Sequence, residues 1–173
     1  MRDVPQPPRI LRIIPLEIST KCGLQTMPRM KRKSDHSEGL RFGCMPGCTN
    51  CCDQKGYVYL TEKDLLNAAK FIGMTPAAFE FEFVYRTKHL LRLRKPPKSQ
   101  CHFLRDGGCS IHPVKPVQCR TFPFWPELVK SRKEWLQAGR YCPGIGTGEL
   151  VQIGTALEIA SEMEVAYPTI YES

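Results

Sequence analysis

The apolar positions after residue 60 predict two consecutive helices. Thr61 and Asp64 have the spacing of a capping box, and Gly73 is a suitable stop. The apolar face of this first helix consists of Leu65, Leu66, Ala69 and Ile72. A second helix should begin with Thr75 as its cap and Pro76 at its first position. Its apolar stripe, which we expect in the core, is Phe79, Phe83 and Val84.

Short strands are predicted on both sides of these helices. Residues 57–60 fit one strand, and the alternation of residues 90–94 fits another. Segments 101–104 and 109–112 have the pattern of a hairpin that turns at "RDGG". Four prolines within residues 113–126 leave room only for loop and one short helical turn that opens at Pro116.

Two further helices are predicted toward the C-terminus. The first spans residues 126–139, and the second lies within residues 148–167. The apolar residues of the second are Leu150, Ile153, Leu157, Ala160 and Val165. Together the elements predict an α+β fold with several short helices, short strands or hairpins and much irregular loop. We expect residues 1–40 to form a basic, proline-containing extension and residues 41–173 a single domain with a C-terminal helix.

Composition and charge narrow the class of protein. The chain has 173 residues, 42% of them hydrophobic, which suits one globular domain. Its formal charge is +8, but the basic runs 29–33 and 86–98 contain no aromatic residues for stacking, so we do not expect a nucleic-acid partner. The N-terminus lacks the apolar segment of a signal peptide, and no apolar run approaches the about 20 residues that span a bilayer. A cytoplasmic protein with reduced thiols and no membrane contact is therefore expected.

Nine cysteines are many for such a protein, and their odd number excludes complete pairing into disulfides within one chain. Clustered cysteines in a reducing compartment are typical of metal binding or redox chemistry. Eight of them are candidate ligands: Cys44, Cys48, Cys51, Cys52, Cys101, Cys109, Cys119 and Cys142. Eight thiolates suit two four-ligand sites for zinc or iron, including an iron–sulfur cluster. Cys22 is left over, and we expect it to be a buried small hydrophobe.

The first cluster has the spacing of a metal-binding turn. Its first three cysteines are separated by three and two residues, and the Pro46–Gly47 pair favours a tight turn. Cys51 and Cys52 are adjacent, and neighbouring side chains of an extended segment point to opposite faces. Either these two thiols bind in neighbouring sites, or one binds while the other packs or reacts.

Other polar residues flank the candidate ligands. His102 and His112 neighbour the hairpin cysteines, and an imidazole can replace a thiolate. We expect His102 to be an ordinary hairpin residue and leave His112 open, as a ligand or as a neighbour of the ligands. Arg120 follows Cys119, where its charge can stabilise thiolates or bind a loop carboxylate such as Asp53 or Asp106.

The order of these motifs resembles the YkgJ-type cysteine-cluster family, whose pattern is written CxxCxxCC. The resemblance covers residues 42–146 and rests on "FGCMPGCTNCC", "CHFLRDGGCSIHPVKPVQCRTFPF" and "YCPGIG". It implies a zinc- or iron-chelating domain with the eight cysteines above as ligands. The chain departs from the family pattern in three places: the first interval has three residues instead of two, His112 replaces a tyrosine, and Lys115 replaces an arginine.

Three functions are compatible with this pattern. The leading hypothesis is a cysteine-rich metal-binding protein in which thiolate sites organise the loops. The family's domain also resembles part of a flagellin lysine N-methylase, which implies a protein-modifying or redox enzyme as an alternative. Asp53 and Arg120 lie closest in sequence to the ligands, but no established catalytic motif is present, so the question of an enzyme stays open. The third hypothesis is a zinc-stabilised nucleic-acid-binding module.

Overall fold

A computed structural model describes residues 36, 38–54, 56–94 and 100–172 of the chain. The strands within the described residues are β1 (Gly39–Phe42), β2 (Tyr59–Leu60), β3 (Val84–Arg86), β4 (Leu91–Leu93), β5 (Leu104–Arg105), β6 (Gly108–Cys109) and β7 (Glu149–Gln152). The α-helices are α1 (Glu62–Phe71), α2 (Pro76–Phe83), α3 (Val117–Thr121), α4 (Pro126–Val129), α5 (Arg132–Ala138), α6 (Ile153–Ala166) and α7 (Pro168–Tyr171). Two short 3-10 helices span Asn50–Cys52 and His112–Val114.

The strands form three small antiparallel sheets. The largest has the order β2-β4-β3, and the other two are the pairs β1-β7 and β5-β6. The β5-β6 pair is the predicted hairpin, with Leu104 opposite Cys109. Helices and these sheets are joined by irregular segments, so the predicted α+β class is confirmed.

The first core lies between α1, α2 and the three-stranded sheet. The predicted caps are confirmed: the Thr61 hydroxyl accepts from Asp64 N–H, and the Asp64 carboxylate accepts from Thr61 N–H. The Thr75 hydroxyl caps α2 by accepting from Ala78 N–H. Phe79 is fully buried, and burying such a side chain contributes about 1.5–3 kcal/mol. The buried residues of this core are Leu60, Leu65, Ala68, Ala69, Phe79, Val84, Leu91, Leu93, Phe103 and Ile111.

A second core joins the β1-β7 pair to the later helices. Its buried residues are Leu40, Phe124, Leu128, Val129, Trp135, Ala138, Ile145, Ala156 and Ala160. A smaller cluster of Tyr59, Val117, Met163 and Tyr167 connects β2 of the first core with α3 and α6. The two cores therefore contact each other through α3 and the start of β2.

Two predicted C-terminal helices differ from the structure. Residues 126–139 form two helices, because Ser131 takes an extended conformation and its hydroxyl accepts from Glu134 N–H as a new N-cap. Residues 149–152 form β7 before α6 begins, because β1 supplies backbone partners from Gly39 to Phe42. The spacing of Leu150 predicts a place in the C-terminal helix, but its pairing with Arg41 of β1 places it in a strand.

Some predicted core positions also differ. In α6 the buried residues are Ala156, Ala160 and Met163, whereas Leu157 and Val165 are exposed. Val84 is buried as expected, but it begins β3 instead of ending α2.

The predicted N-terminal extension lies largely outside the described residues, together with Cys22 and the basic run 29–33. The described part begins its regular structure with β1 at Gly39. None of the helices in the described residues has the length and apolar character that crossing a bilayer requires.

Candidate metal centre

The first four candidate cysteines lie on two consecutive turns. Cys48 N–H donates to Met45 O over 3.1 Å, and Gly47 has a φ of +74°, a value that favours glycine. The 3-10 helix then begins, and Cys52 N–H donates to Thr49 O over 2.8 Å. Cys44 and Cys51 are exposed, while Cys48 and Cys52 are half-buried. The predicted turn at Pro46–Gly47 is confirmed.

The β5-β6 hairpin brings two more cysteines to this cluster. Phe103 fixes the hairpin in the first core, with its ring centroid 5.1 Å from that of Phe83 and 5.9 Å from that of Phe79. Cys101 N–H donates to Cys52 O over 3.0 Å, which joins two cysteine segments directly through the backbone. Cys101 and Cys109 are partly buried against the first core.

Helix α3 supplies Cys119 and is attached by the preceding residue, Gln118. The buried Gln118 amide accepts from Tyr59 N–H over 2.6 Å and donates to Tyr57 O over 3.1 Å. Burial raises the pKa of the Cys119 thiol, and the negative charges of Cys101 and Cys109 raise it further. The Cys119 thiol therefore interacts electrostatically with the thiols of Cys101 and Cys109.

Cys142 reaches the cluster through a close crossing of two glycine-containing segments. Gly43 N–H donates to Gly144 O over 3.0 Å, and Asn50 Nδ2 donates to Tyr141 O over 3.0 Å. A Cβ at Gly144 would collide with Gly43 O, so the two backbones approach this closely only without a side chain. Burial raises the pKa of the Cys142 thiol to about 11, and nearby Cys48 and Cys51 add to that increase.

The adjacent thiols of Cys51 and Cys52 lie within hydrogen-bonding distance of each other. Cys51 Sγ and Cys52 Sγ are 4.0 Å apart, and neither is in a disulfide. The hydrogen bond from the Cys52 thiol lowers the pKa of Cys51 to about 6, and the same bond and burial raise the pKa of Cys52. This bond therefore favours a thiolate at Cys51.

The donor chemistry fits zinc or iron. The eight candidate cysteines come from four segments of the chain and are not in disulfides, and thiolates bind both metals. Among the described residues, no three cysteine, histidine or carboxylate side chains are arranged to hold an ion as they stand.

The flanking polar residues have ordinary partners. Arg120 is half-exposed, and its Nη2 donates to Glu162 over 2.8 Å, so the carboxylate it contacts is neither Asp53 nor Asp106. His102 packs its ring edge against Phe83, and His112 Nε2 accepts from Lys115 Nζ over 3.4 Å. His36, to which the sequence assigns no role, donates from Nε2 to Val129 O over 2.7 Å.

A polar cleft borders the first cluster. Its volume is about 480 Å³, and it separates the turn that precedes Cys48 from the tip of the β5-β6 hairpin. The lining residues are Gly47, Thr49, Gln100, Leu104, Arg105, Asp106 and Gly107.

Sequence reasoning missed the residues that join the cysteine segments. Asn50 and Gln118 each precede a cysteine, but an amide gives no pattern from which its distant backbone partner can be inferred. The glycines of "CPGIG" were a usable signal, because repeated glycine often marks close backbone approach.

Comparison with known proteins identifies the family of the chain. The family model described as "CxxCxxCC: Putative zinc- or iron-chelating domain" matches residues 43–143, which is more than half of the chain. The match starts one residue before Cys44 and ends one residue after Cys142, so it contains all eight candidate cysteines. No solved structure matches the chain. The chain belongs to the CxxCxxCC family.

Proposed function

We propose that the protein binds zinc or iron through its clustered thiolates and that the metal organises the surrounding loops. The observation that carries this proposal is the backbone hydrogen bond from Cys101 N–H to Cys52 O, which joins two cysteine segments that are far apart in sequence. The proposed ligands are Cys44, Cys48, Cys51, Cys52, Cys101, Cys109, Cys119 and Cys142.

The electrostatics of the thiols support a cationic ligand. Burial raises the pKa of Cys101, Cys119 and Cys142, so ionising them together without a cation is unfavourable. A divalent metal supplies the compensating charge and displaces the thiol protons when it binds. Lower pH should therefore weaken metal binding.

Two neighbourhoods of thiols favour two adjacent sites. Cys119 interacts electrostatically with Cys101 and Cys109, whereas Cys142 interacts with Cys48. The charge of Cys51 raises the pKa of both Cys119 and Cys142. This agrees with the hypothesis that the adjacent thiols of Cys51 and Cys52 bind in neighbouring sites.

Anaerobic purification followed by metal analysis and a visible spectrum tests the proposal. We expect stoichiometric zinc in a colourless protein, or iron with the absorption of a thiolate or iron–sulfur centre. Cys119→Ser and Cys142→Ser should each lose metal, whereas the exposed hydroxyl variant Thr87→Ala should retain it. A parent chain that binds neither metal under these conditions would disprove the proposal.

Arg120 and His112 are proposed to neighbour the ligands without binding the metal. Arg120→Ala should weaken metal retention by about 10-fold, the scale typical of residues that support ligands, and Arg120→Lys should restore part of it. Glu162→Ala is the control, because it removes the observed partner of Arg120 and keeps the cation. If Arg120→Ala binds the metal as tightly as the parent, Arg120 serves only in its surface ion pair with Glu162.

An enzyme remains the second candidate, because the polar cleft beside the first cluster has room for a small substrate. A metal with three protein ligands and one water would favour catalysis, whereas four thiolates favour a structural or carrier role. X-ray absorption spectroscopy of the metal-loaded chain distinguishes the two by the number of sulfur ligands.

A further inference from the structure

Gln118 makes an unusual pair of contacts for a side chain. Its Oε1 accepts from Tyr59 N–H over 2.6 Å, and its Nε2 donates to Tyr57 O over 3.1 Å. A neighbouring strand makes the same two kinds of contact with backbone groups two residues apart. Since β4 pairs with β2, the Gln118 amide takes the place of a strand near the opposite edge of β2.

The backbone of Gln118 also bonds to a residue of the second core. The carbonyl oxygen of Gln118 accepts from Trp125 Nε1 over 2.9 Å, and Trp125 packs against the second core. Gln118 is itself buried, with 7% of its surface exposed, so its amide has little access to water as an alternative partner. Gln118 therefore bonds α3 both to the first core, through Tyr57 and Tyr59, and to Trp125 of the second.

The residues that Gln118 joins are those that carry cysteines. Cys119 is the next residue of the chain, and Tyr57 follows Cys52 after four intervening residues. A change in the Gln118 contacts would therefore shift the Cys119 segment relative to the segment that ends at Cys52. The Cys52 segment is in turn bonded to Cys101 through the backbone.

We propose that Gln118 is a positioning residue of the metal centre, which holds Cys119 in register with the first cysteine cluster without touching the metal. This inference rests on the proposed function, because it assumes that the thiols share a site. It assigns to the amide the role that supporting side chains have around bound metals, where their loss typically weakens binding 10- to 100-fold.

A purely structural role needs a matched control, and Tyr167 provides it. Tyr167 Oη donates to Tyr59 O over 2.9 Å, so Tyr167→Phe also removes a buried hydrogen bond to the backbone of Tyr59. The Tyr167 hydroxyl also lies near the Gln118 backbone and the Cys119 thiol, so Tyr167→Phe disturbs the same region but leaves both amide contacts of Gln118 in place. Gln118→Met keeps the length of the side chain and removes both amide contacts, so the two variants differ in whether the Gln118 amide is still bonded to Tyr57 and Tyr59.

The first measurement is zinc affinity of the full chain by competition with a chromophoric chelator. We expect Gln118→Met to weaken zinc binding by about 10-fold or more, while Tyr167→Phe stays close to the parent. Equal losses in the two variants, or parent-like affinity in Gln118→Met, would overturn the proposal. If Gln118→Met fails to fold by circular dichroism, Gln118→Glu replaces it, because the carboxylate keeps the acceptor for Tyr59 N–H and loses only the donor to Tyr57 O.

The second measurement uses the metal-free chain. Maleimide labelling followed by peptide mass spectrometry should show faster modification of Cys119 in Gln118→Met, with the rate at Cys142 unchanged. Tyr167→Phe should leave the ratio of the two rates as in the parent. A parent chain that binds neither zinc nor iron but shows this selective labelling would refute the proposed metal function and keep the positioning role. If the parent binds zinc but Gln118→Met leaves the labelling ratio unchanged, the metal function is kept and the positioning role of Gln118 is refuted.

Discussion

The adjacent thiols of Cys51 and Cys52 have pKa values that are shifted in opposite directions. The bond donated by the Cys52 thiol is the largest influence on Cys51 and lowers its pKa to about 6. Lys115 lowers it further, whereas burial acts in the opposite direction. A thiolate at neutral pH is both a ready metal ligand and a nucleophile, so Cys51 is the thiol of the pair that should react first.

We predict that alkylation of Cys51 in the metal-free chain has a pH profile with a midpoint near 6. Cys52→Ala should move that midpoint upward toward the ordinary cysteine value of about 8.5, because the donor to the thiolate is lost. The rate of iodoacetamide modification, followed by mass spectrometry across pH 5–9, measures this shift. Cys44→Ala is the control and should leave the midpoint in place. An unchanged midpoint in Cys52→Ala would contradict the assigned hydrogen bond.

At the scale of elements, the crossing of the segment before Cys44 with the segment after Cys142 depends on glycine. Gly43 N–H bonds to Gly144 O, and Phe42 forms an isolated bridge with Ile145. Gly148 has a φ of +70° and would also place a Cβ against the backbone of Phe42 and Gly43. The glycine-containing segment 144–148 therefore makes a close backbone contact with residues 42–43, next to the first cluster.

Gly144→Ala should destabilise the protein by about 1–3 kcal/mol, because the new Cβ overpacks a contact made of backbone. Gly154→Ala is the matched control: a Cβ there meets nothing within 4 Å, and alanine should favour α6 by up to about 1 kcal/mol. Urea denaturation of both variants measures the difference. A Gly144→Ala variant as stable as the parent would show that the crossing relaxes without cost.

For the molecule as a whole, the candidate metal centre lies where the two cores meet. Cys101 and Cys109 pack against the first core, and Cys142 packs against the second. A metal bound by both groups would join the cores, and its binding energy would contribute directly to the stability of the loops between them.

Removal of the metal should accordingly loosen residues 43–54 and 100–121 more than the cores themselves. In hydrogen exchange after complete chelation, amides of these segments should lose protection, while α1, where Ala68 and Ala69 are fully buried, and the C-terminal helix α6 should keep theirs longer. Comparison of the loaded and chelated chain by mass spectrometry provides the measurement. Unchanged protection in both cysteine segments would argue against a metal that organises the fold.

Local chemistry explains why much of the fold is predictable from the sequence. The Thr61–Asp64 capping box and the Thr75–Pro76 start depend on contacts within a few residues, and both occur as expected. The hairpin around "RDGG" likewise follows from its turn residues. The split at Ser131 shows the limit of this reasoning, because a good cap inside a helical pattern competes with continuation of the helix.

The sequence by itself determined the family, the α+β class and the set of eight candidate thiols, because cysteine spacing, caps and turns are local properties. Only the tertiary structure decided how these thiols are brought near one another. The backbone bond between Cys101 and Cys52, the Gln118 bridge and the Gly43–Gly144 contact each join residues more than 45 positions apart. The pairing of β1 with β7 and the ion pair of Arg120 with Glu162 are likewise distant contacts. Such contacts depend on packing of the whole chain, and no local pattern specifies the partner.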